Sequence, residues 1–380
     1  MTRNILRILR ADPTIKIISV SNMDGGVSYS PCPLDMVAAN AENATGAANF
    51  YVVRNIAAAV RKEFPGTKIL SLAYNGALQP PKHLQFAENV IVQIAGQRYA
   101  DVSLHHKRNS ADLQLIQRWL THSETVYIWN GVNEGAILPH GDYLAQALHI
   151  KELAKLGVKG YFAEGSTWPG SDMADLRVFL AGRTMFDASL DTDTLVAEFV
   201  QTYYGGGAAA AGVGKYITLM STAFQTGNSS VDFAGRVLTP LAAKHYGFGP
   251  NSSFFGNATL LRGAELLVEA RKAAAAAATE PKYLARIVDD LMHLQYVCLV
   301  RWDSLRLNAT ATKTPWPLHD TKEEEFTSFA TAYNASGIRD GFQQWKMYPP
   351  RCHGASPCWT NIKMNLASFH EELFGIKSSG

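Results

Sequence analysis

Five short apolar runs dominate the first half of the chain. Each is rich in Val, Ile, Leu or aromatic residues, shows no strict alternation with polar residues, and ends at a polar or aromatic residue. The runs occupy residues 16–21, 68–74, 89–94, 125–129 and 158–164. Runs of this kind are typical of strands that are buried on both faces. Helical patterns lie between several of them, and strands that alternate with helices predict a parallel sheet.

The helical patterns are amphipathic. From Ala47 to Phe64, apolar residues recur on one helical face, and Pro65-Gly66 ends the segment. A short helix at the N-terminus has its apolar face at Ile5, Leu6, Ile8 and Leu9. The same reasoning predicts three more helices, at residues 111–120, 144–156 and 172–186.

From Thr194 onward the strand-like runs disappear and long helical patterns take over. These patterns cover residues 194–204, 215–224, 259–278, 281–307 and 322–346. We therefore predict an α/β fold in which a partial (β/α)8-barrel-like parallel sheet is followed by an all-helical C-terminal region. The predicted domains are a barrel-like region at 1–193 and a helical domain at 194–348, with a tail at 349–380. Five strands are too few for a closed eight-stranded barrel, so either the sheet is open or the chain is a fragment.

Composition excludes several classes of protein. The chain has 380 residues, 47% of them hydrophobic, and a net charge of only +2. That charge gives no bulk attraction for a polyanion, so we expect no nucleic-acid partner. No apolar run approaches the roughly 20 residues of a membrane-spanning helix, so we expect no membrane association. The N-terminus lacks the long apolar core and the small-residue cleavage site of a signal peptide.

Cysteines and glycosylation motifs bear on the cellular compartment. Four cysteines are few, and Cys352 and Cys358 flank a tight polar loop where they either form a small disulfide or remain thiols. Six Asn-x-Ser/Thr motifs exceed the number that chance supplies, which favours a secreted or lumenal glycoprotein. The motifs begin at Asn43, Asn228, Asn251, Asn257, Asn308 and Asn334.

Two carboxylates at the ends of predicted strands are the candidate catalytic residues. Asp24 follows the first run and precedes two glycines, whereas Glu164 ends the fifth run and precedes Trp168. The carboxyl ends of parallel barrel strands meet at one mouth, so both side chains are expected there. An apolar wall raises the pKa of a carboxyl group towards general-acid use. The alternatives are that Asp24 only shapes a turn and that Glu164 only caps a helix or orders a loop.

Aromatic and amide side chains at the other strand ends suit a sugar site. Trp129 is expected to form the floor of a sugar subsite, unless it belongs to the core, and Arg98 could hold an acidic sugar through its bidentate guanidinium. The predicted substrate-binding residues are Asn22, Tyr74, Asn75, Arg98, Trp129, Asn130 and Trp168. Phosphate-loop, hydrolase-elbow and metal-ligand spacings are missing, so we expect neither a cofactor nor a metal.

These segments, taken together and in order, resemble a family of secreted, mostly bacterial proteins, the domain-of-unknown-function family 4838. The resemblance covers residues 12–310 and rests on 16–24, 32–33, 68–74 with 80–82, 89–92, 126–129, 157–160, 176–186, 203–205 and 281–302. It implies a glycoside-hydrolase-like (β/α)8 barrel of the hexosaminidase and α-glucuronidase kind. By that resemblance, Asp24, Trp129 and Glu164 lie at the barrel mouth. Members have about three more strands upstream, so we expect barrel-like order with a gap before Lys16.

The sequence therefore supports two functional hypotheses. The first is a carbohydrate-active, glycoside-hydrolase-like enzyme in which Asp24 and Glu164 cleave a glycosidic bond through an oxocarbenium-like transition state. The second is a catalytically inactive saccharide-binding protein that retains the aromatic floor. Both hypotheses make a saccharide the partner of this protein.

Overall fold

The computed structural model describes residues 1–21, 32–95, 103–131, 139, 141–164, 172–226, 256–277, 280–336, 342–348, 358–364 and 366–375. The chain divides into two compact units. One comprises Met1–Val132 and Leu148–Glu164, and the other comprises Asn133–Ala147 and Gly165–Gly380. The domain boundaries expected from the sequence, after residues 193 and 348, stay predictions.

The first unit contains a five-stranded parallel sheet. Its strands are β1 (Ile17–Ser19), β2 (Lys68–Ala73), β3 (Val90–Ala95), β4 (Thr125–Gly131) and β5 (Gly160–Glu164). Their order in the sheet is their order in the chain, and every pair is parallel. Sequential order is how a β/α barrel winds, whereas a doubly wound sheet reverses direction at a switch point. The structure therefore confirms an α/β fold with a half-barrel sheet.

Helices connect most of these strands. The connecting helices are α2 (Pro33–Glu42) and α3 (Ala47–Glu63) between β1 and β2, α4 (Ser110–His122) between β3 and β4, and α5 (Ala145–Leu156) between β4 and β5, whereas α1 (Thr2–Ala11) precedes β1. The connection from β2 to β3 is described throughout and carries only a 3-10 turn, Asn75–Ala77. Where a connecting helix would otherwise pack, Phe86 from this connection packs against Phe50 of α3 and Trp119 of α4. The indole nitrogen of Trp119 donates to the Leu78 carbonyl at 2.9 Å, which fixes the loop against the helices.

The core of the first unit lies on the helix-covered side of the sheet. Ile69, Val92 and Val126 share one hydrophobic cluster with Phe50 and Trp119. The apolar runs predicted that every strand is buried on both faces. Among the five strands of this sheet, β3 alone is buried along its whole length. In β2 buried and half-buried residues alternate, and at the edge Ile17 of β1 is 46% exposed. The second face of the sheet is thus only partly covered.

The second unit is mostly helical. Among its described residues, the helices are α6 (Ala174–Phe186), α7 (Thr192–Tyr203), α8 (Gly207–Thr226), α9 (Asn257–Ala276), α10 (Pro281–Val300), α11 (Trp302–Thr312), α12 (Lys322–Ala335) and α13 (Leu366–Phe374). Asp191 caps α7 by accepting a hydrogen bond from the Thr194 amide, and Thr321 with Glu324 forms a capping box at α12. None of the described helices is long and apolar enough to cross a membrane.

Two predicted helices differ from the observed ones. The pattern at 281–307 is interrupted at Arg301, whose guanidinium donates to the Asn257 side chain, while Trp302 packs edge-to-face on Trp316 at 4.9 Å. The predicted helix at 322–346 ends at Ala335. Beyond it, β6 (Phe342–Tyr348) pairs antiparallel with β7 (Cys358–Met364). Glycines at 337 and 341 in the sequence favour that change, because glycine terminates helices.

Candidate functional site

The C-terminal ends of β3, β4 and β5 place residues in rows across the partly covered face of the sheet. The strand register aligns Ala95 with Trp129 and Trp129 with Phe162. One layer towards the start of the strands, Gln93 aligns with Tyr127, which aligns with Gly160. Residues paired in this way share a face, because side chains alternate along each strand. These two rows are the aromatic end of the sheet.

Trp129 and Phe162 form the upper row. Their ring centroids lie 4.8 Å apart, and their planes meet at 74° in an edge-to-face arrangement. Trp129 is half-buried, whereas Phe162 is 47% exposed. Trp129 is therefore not a fully buried core residue, and a ring surface remains accessible at this end of the strands.

Tyr127 lies in the adjacent row, one layer towards the start of the strands. Its ring lies directly against the backbone of β5, because a β-carbon added at Gly160 would come within 2.6 Å of the Tyr127 ring. Glycine is thus required at position 160 for close approach. The aromatic side chains of β4 therefore extend across β5.

Asn130 lies on the opposite, helix-covered side of β4. It is fully buried, and its amide nitrogen donates to the hydroxyl of Tyr161, which itself packs against the hydrophobic cluster. Its amide oxygen is buried and has no hydrogen-bond partner in the part of the chain that the structure describes. An unpaired buried acceptor costs about 1–3 kcal/mol. The expected contact of Asn130 with substrate stays a prediction.

Tyr74 and Asn75 lie at the C-terminal end of β2. Tyr74 is half-buried, and its carbonyl accepts from the Ala77 amide at 3.0 Å. Asn75 is exposed and has a positive φ of 52°, a conformation that asparagine tolerates better than most residues. Both residues therefore lie at the same edge of the sheet as Trp129 and Asn130.

The remaining predicted residues cannot be placed in the same way. Asn22, Asp24, Arg98 and Trp168 lie outside the described residues. Glu164 ends β5, where its backbone aligns with Gly131, and its side chain lies outside the description. The catalytic pairing of Asp24 with Glu164 therefore stays a prediction.

The second unit contains a polar cluster that the sequence did not predict. Arg177 forms an ion pair with Asp142, with both side chains largely buried, and its Nε donates to the Asp172 carbonyl at 3.3 Å. The hydroxyl of Tyr143 donates to Asp172 Oδ2 at 2.6 Å. Burial lowers the pKa of Arg177, but the charges of Asp142 and Asp172 outweigh it and raise that pKa. Asp142 and Arg177 are 35 positions apart, so no local sequence pattern predicts their contact.

The sequence profile of the family described as "Domain of unknown function (DUF4838)" matches residues 1–218. That match covers more than half of the 380 residues. The chain belongs to the DUF4838 family. The resemblance inferred from the ordered sequence segments is thereby confirmed.

Other comparisons add little to the DUF4838 assignment. A search of curated proteins found no match. Among solved structures, the chain is similar to one described as a GH138 enzyme targeting pectin rhamnogalacturonan II, with 10% identity and a TM-score of 0.37. The alignment covers 84% of this chain and 50% of that one, so this chain spans about half the length of the solved structure.

Asp290 is a buried acid on α10, outside the DUF4838 match. Asp290 Oδ2 accepts a hydrogen bond from the hydroxyl of Tyr204 at 2.7 Å. Burial raises the pKa of Asp290 well above its usual range, although the hydrogen bond from Tyr204 opposes the shift. The Tyr204 hydroxyl also contacts the sulfur of Met173 at 3.6 Å, and Met173 has a positive φ of 51°. Met173 is the N-cap of α6, so an uncommon backbone conformation lies next to this cluster.

Proposed function

We propose that this DUF4838 protein is a glycoside-hydrolase-like enzyme that binds a saccharide and cleaves a glycosidic bond. The observation that carries the proposal is the half-buried Trp129 at the C-terminal edge of a parallel sheet wound in barrel order. In barrels of this winding, the carboxyl ends of the strands carry the active site. A flat indole presents an apolar surface on which the C–H face of a pyranose ring can stack.

The proposed chemistry uses the two carboxylates at the strand ends. Asp24 follows β1 in the chain, and Glu164 ends β5 beside Gly131 of β4. One group, protonated, would donate its proton to the glycosidic oxygen as the bond to the anomeric carbon breaks. The other, ionised, would stabilise or attack the oxocarbenium-like carbon, or activate a water molecule. Tyr74, Asn75 and Arg98 would orient the sugar hydroxyl or carboxyl groups.

Hydrolysis of a panel of aryl glycosides and polysaccharides tests the catalytic part of the proposal. We expect Asp24→Asn and Glu164→Gln each to reduce the rate by a factor of about 10²–10⁴, because each variant keeps the shape of the side chain but loses its acid or base. Glu88→Gln is the matched control, because Glu88 is exposed and its carboxylate pairs with Arg61 at 3.6 Å on the surface. Full activity of both carboxamide variants would contradict the assignment.

Tryptophan fluorescence tests the binding part separately. We expect a bound saccharide to quench fluorescence from the wild type, and Trp129→Ala to lose both the quench and the affinity. If sugars bind while no glycoside is cleaved, the alternative of an inactive saccharide-binding protein replaces the enzyme. If the wild type neither binds nor cleaves any member of the panel, the proposed function is wrong.

A further inference from the structure

Phe162 is an aromatic residue in an unusual position. Strands of a parallel sheet are usually covered on both faces, yet Phe162 of β5 is 47% exposed. It lies in the row of Trp129, at the end of the sheet where barrel sites are built. A large apolar side chain that stays exposed beside a second aromatic ring is a candidate contact surface.

The geometry of the two rings distinguishes their surfaces. Their planes meet at 74° with centroids 4.8 Å apart, so one flat ligand ring cannot lie parallel to both. A sugar stacked on the indole of Trp129 would leave the surface of Phe162 for a neighbouring group. The two surfaces therefore suit a ligand with two linked rings.

The row is also held in place before a ligand arrives. Both residues belong to strands in register, and Tyr127 in the row below packs against the backbone at Gly160. Side chains on strands with packed neighbours are positioned more firmly than side chains on loops. Little conformational freedom is lost on binding, and such preorganisation favours affinity.

We propose that Phe162 is a second ligand-contacting residue that binds the aglycone or the neighbouring sugar ring of a glycoside whose pyranose stacks on Trp129. This inference rests on the proposed function, since it takes a saccharide as the ligand. It predicts that the protein prefers two-ring ligands over the corresponding methyl glycosides.

Paired phenyl and methyl glycosides of the same sugars test the inference, with affinity measured by calorimetry or ligand-observed NMR. We expect the wild type to bind the phenyl glycoside about tenfold more tightly, equivalent to about 1.4 kcal/mol. Phe162→Ala should reduce that ratio to about one while the affinity for the methyl glycoside changes less than about threefold. Phe162→Tyr should keep the ratio, because the ring remains.

Phe186→Ala is the matched control, because Phe186 is 93% exposed at the end of α6 and belongs to the other unit. Circular dichroism and size-exclusion chromatography accompany every variant. An unchanged phenyl-to-methyl ratio in Phe162→Ala would overturn the inference and leave the proposed function standing. A change of oligomeric state in that variant would also overturn it, since another polypeptide would then cover Phe162. A wild type that binds no glycoside at all would defeat both.

Discussion

Asp290 shows how burial changes the chemistry of a single residue. Its folded-state pKa is raised well above the ordinary aspartate value, chiefly by burial, and the nearby carboxylate of Asp289 adds to that shift. The folded protein therefore binds this proton more tightly than the unfolded chain does. The stability that this proton provides is complete below the unfolded pKa of about 3.9 and is lost as pH rises towards the folded pKa.

Asp290→Asn should remove that pH dependence. The carboxamide oxygen can still accept the hydrogen bond from Tyr204, and the group can no longer ionise. We expect the variant to gain free energy of unfolding relative to the wild type as pH rises from 4 to 7, by at most about 1.4 kcal/mol per pH unit. Guanidinium unfolding followed by circular dichroism at several pH values measures the difference.

Asp193→Asn is the control for this experiment. Asp193 is an exposed residue of α7, so the same chemical change occurs without burial. Its free energy of unfolding should run nearly parallel to that of the wild type across the pH range. Identical pH profiles for Asp290→Asn and the wild type would show that Asp290 does not hold its proton in the folded state.

Neighbouring residues at the strand end differ more than the sequence suggests. Trp129 and Asn130 are adjacent and were both predicted to bind substrate. Because side chains alternate along a strand, Trp129 lies on the partly covered face, whereas Asn130 lies on the helix-covered face and bonds to Tyr161. Phe162, which the sequence alone did not single out, shares the row of Trp129. The apolar run located the strand end, but only the burial of its residues shows which of its two faces is covered.

At the scale of elements, the contact between β4 and β5 depends on one glycine. A β-carbon at position 160 would lie 2.6 Å from the Tyr127 ring, so Gly160→Ala forces the ring or β5 to move. We expect a destabilisation of about 1–3 kcal/mol, the usual cost of overpacking, together with altered fluorescence of Trp129 in the adjacent row. Thermal unfolding and emission spectra check the two effects.

Gly182→Ala provides the opposite case. Gly182 lies within α6, and no atom outside its own helix and chain neighbours is within 4 Å of an added β-carbon in the described part of the chain. Alanine is the better helix former, so this variant should be as stable as the wild type or more stable, by up to about 1 kcal/mol. Equal stability changes in the two variants would mean that the Tyr127 contact contributes nothing.

The elements themselves were predictable where a single period continued without competition. The helix expected from Ala47 to Phe64 is observed as Ala47–Glu63, and those expected at 111–120, 144–156 and 172–186 begin and end within a few residues of expectation, whereas α2 was not predicted. One error occurred where a long-range contact intervenes. Arg301 interrupts the 281–307 pattern where it reaches Asn257, 44 positions away. Periodicity within one segment cannot report such a contact.

For the whole molecule, the glycosylation motifs give a prediction about compartment. We propose a secreted or lumenal location from the six motifs. For three of them, the exposure and hydrogen bonds of the asparagine predict whether a glycan is attached. Asn43 and Asn334 are exposed. The Asn257 amide nitrogen donates to the Ser304 carbonyl at 3.3 Å and to Ser304 Oγ at 3.1 Å, so a glycan, which replaces a hydrogen on that nitrogen, would break at least one of these bonds. After expression through a eukaryotic secretory route, we expect glycans at Asn43 and Asn334 but not at Asn257.

Mass spectrometry of peptides after enzymatic deglycosylation identifies the modified asparagines. Asn43→Gln and Asn334→Gln should each remove one glycan from the intact mass and leave the fold unchanged. Occupancy of Asn257 in folded, secreted protein would contradict the prediction. So would unmodified Asn43 and Asn334.

The sequence by itself determined the order of the five parallel strands and of most helices, the half-barrel class of the sheet and membership in the DUF4838 family. These properties follow from local periodicity and from motifs in a fixed order, both of which are written along the chain. Only the tertiary structure decided which face of β4 carries Trp129, that Phe162 stands exposed beside it, and that Arg177 meets Asp142. Strand register and burial bring together residues from distant positions, and no local window of sequence contains that information.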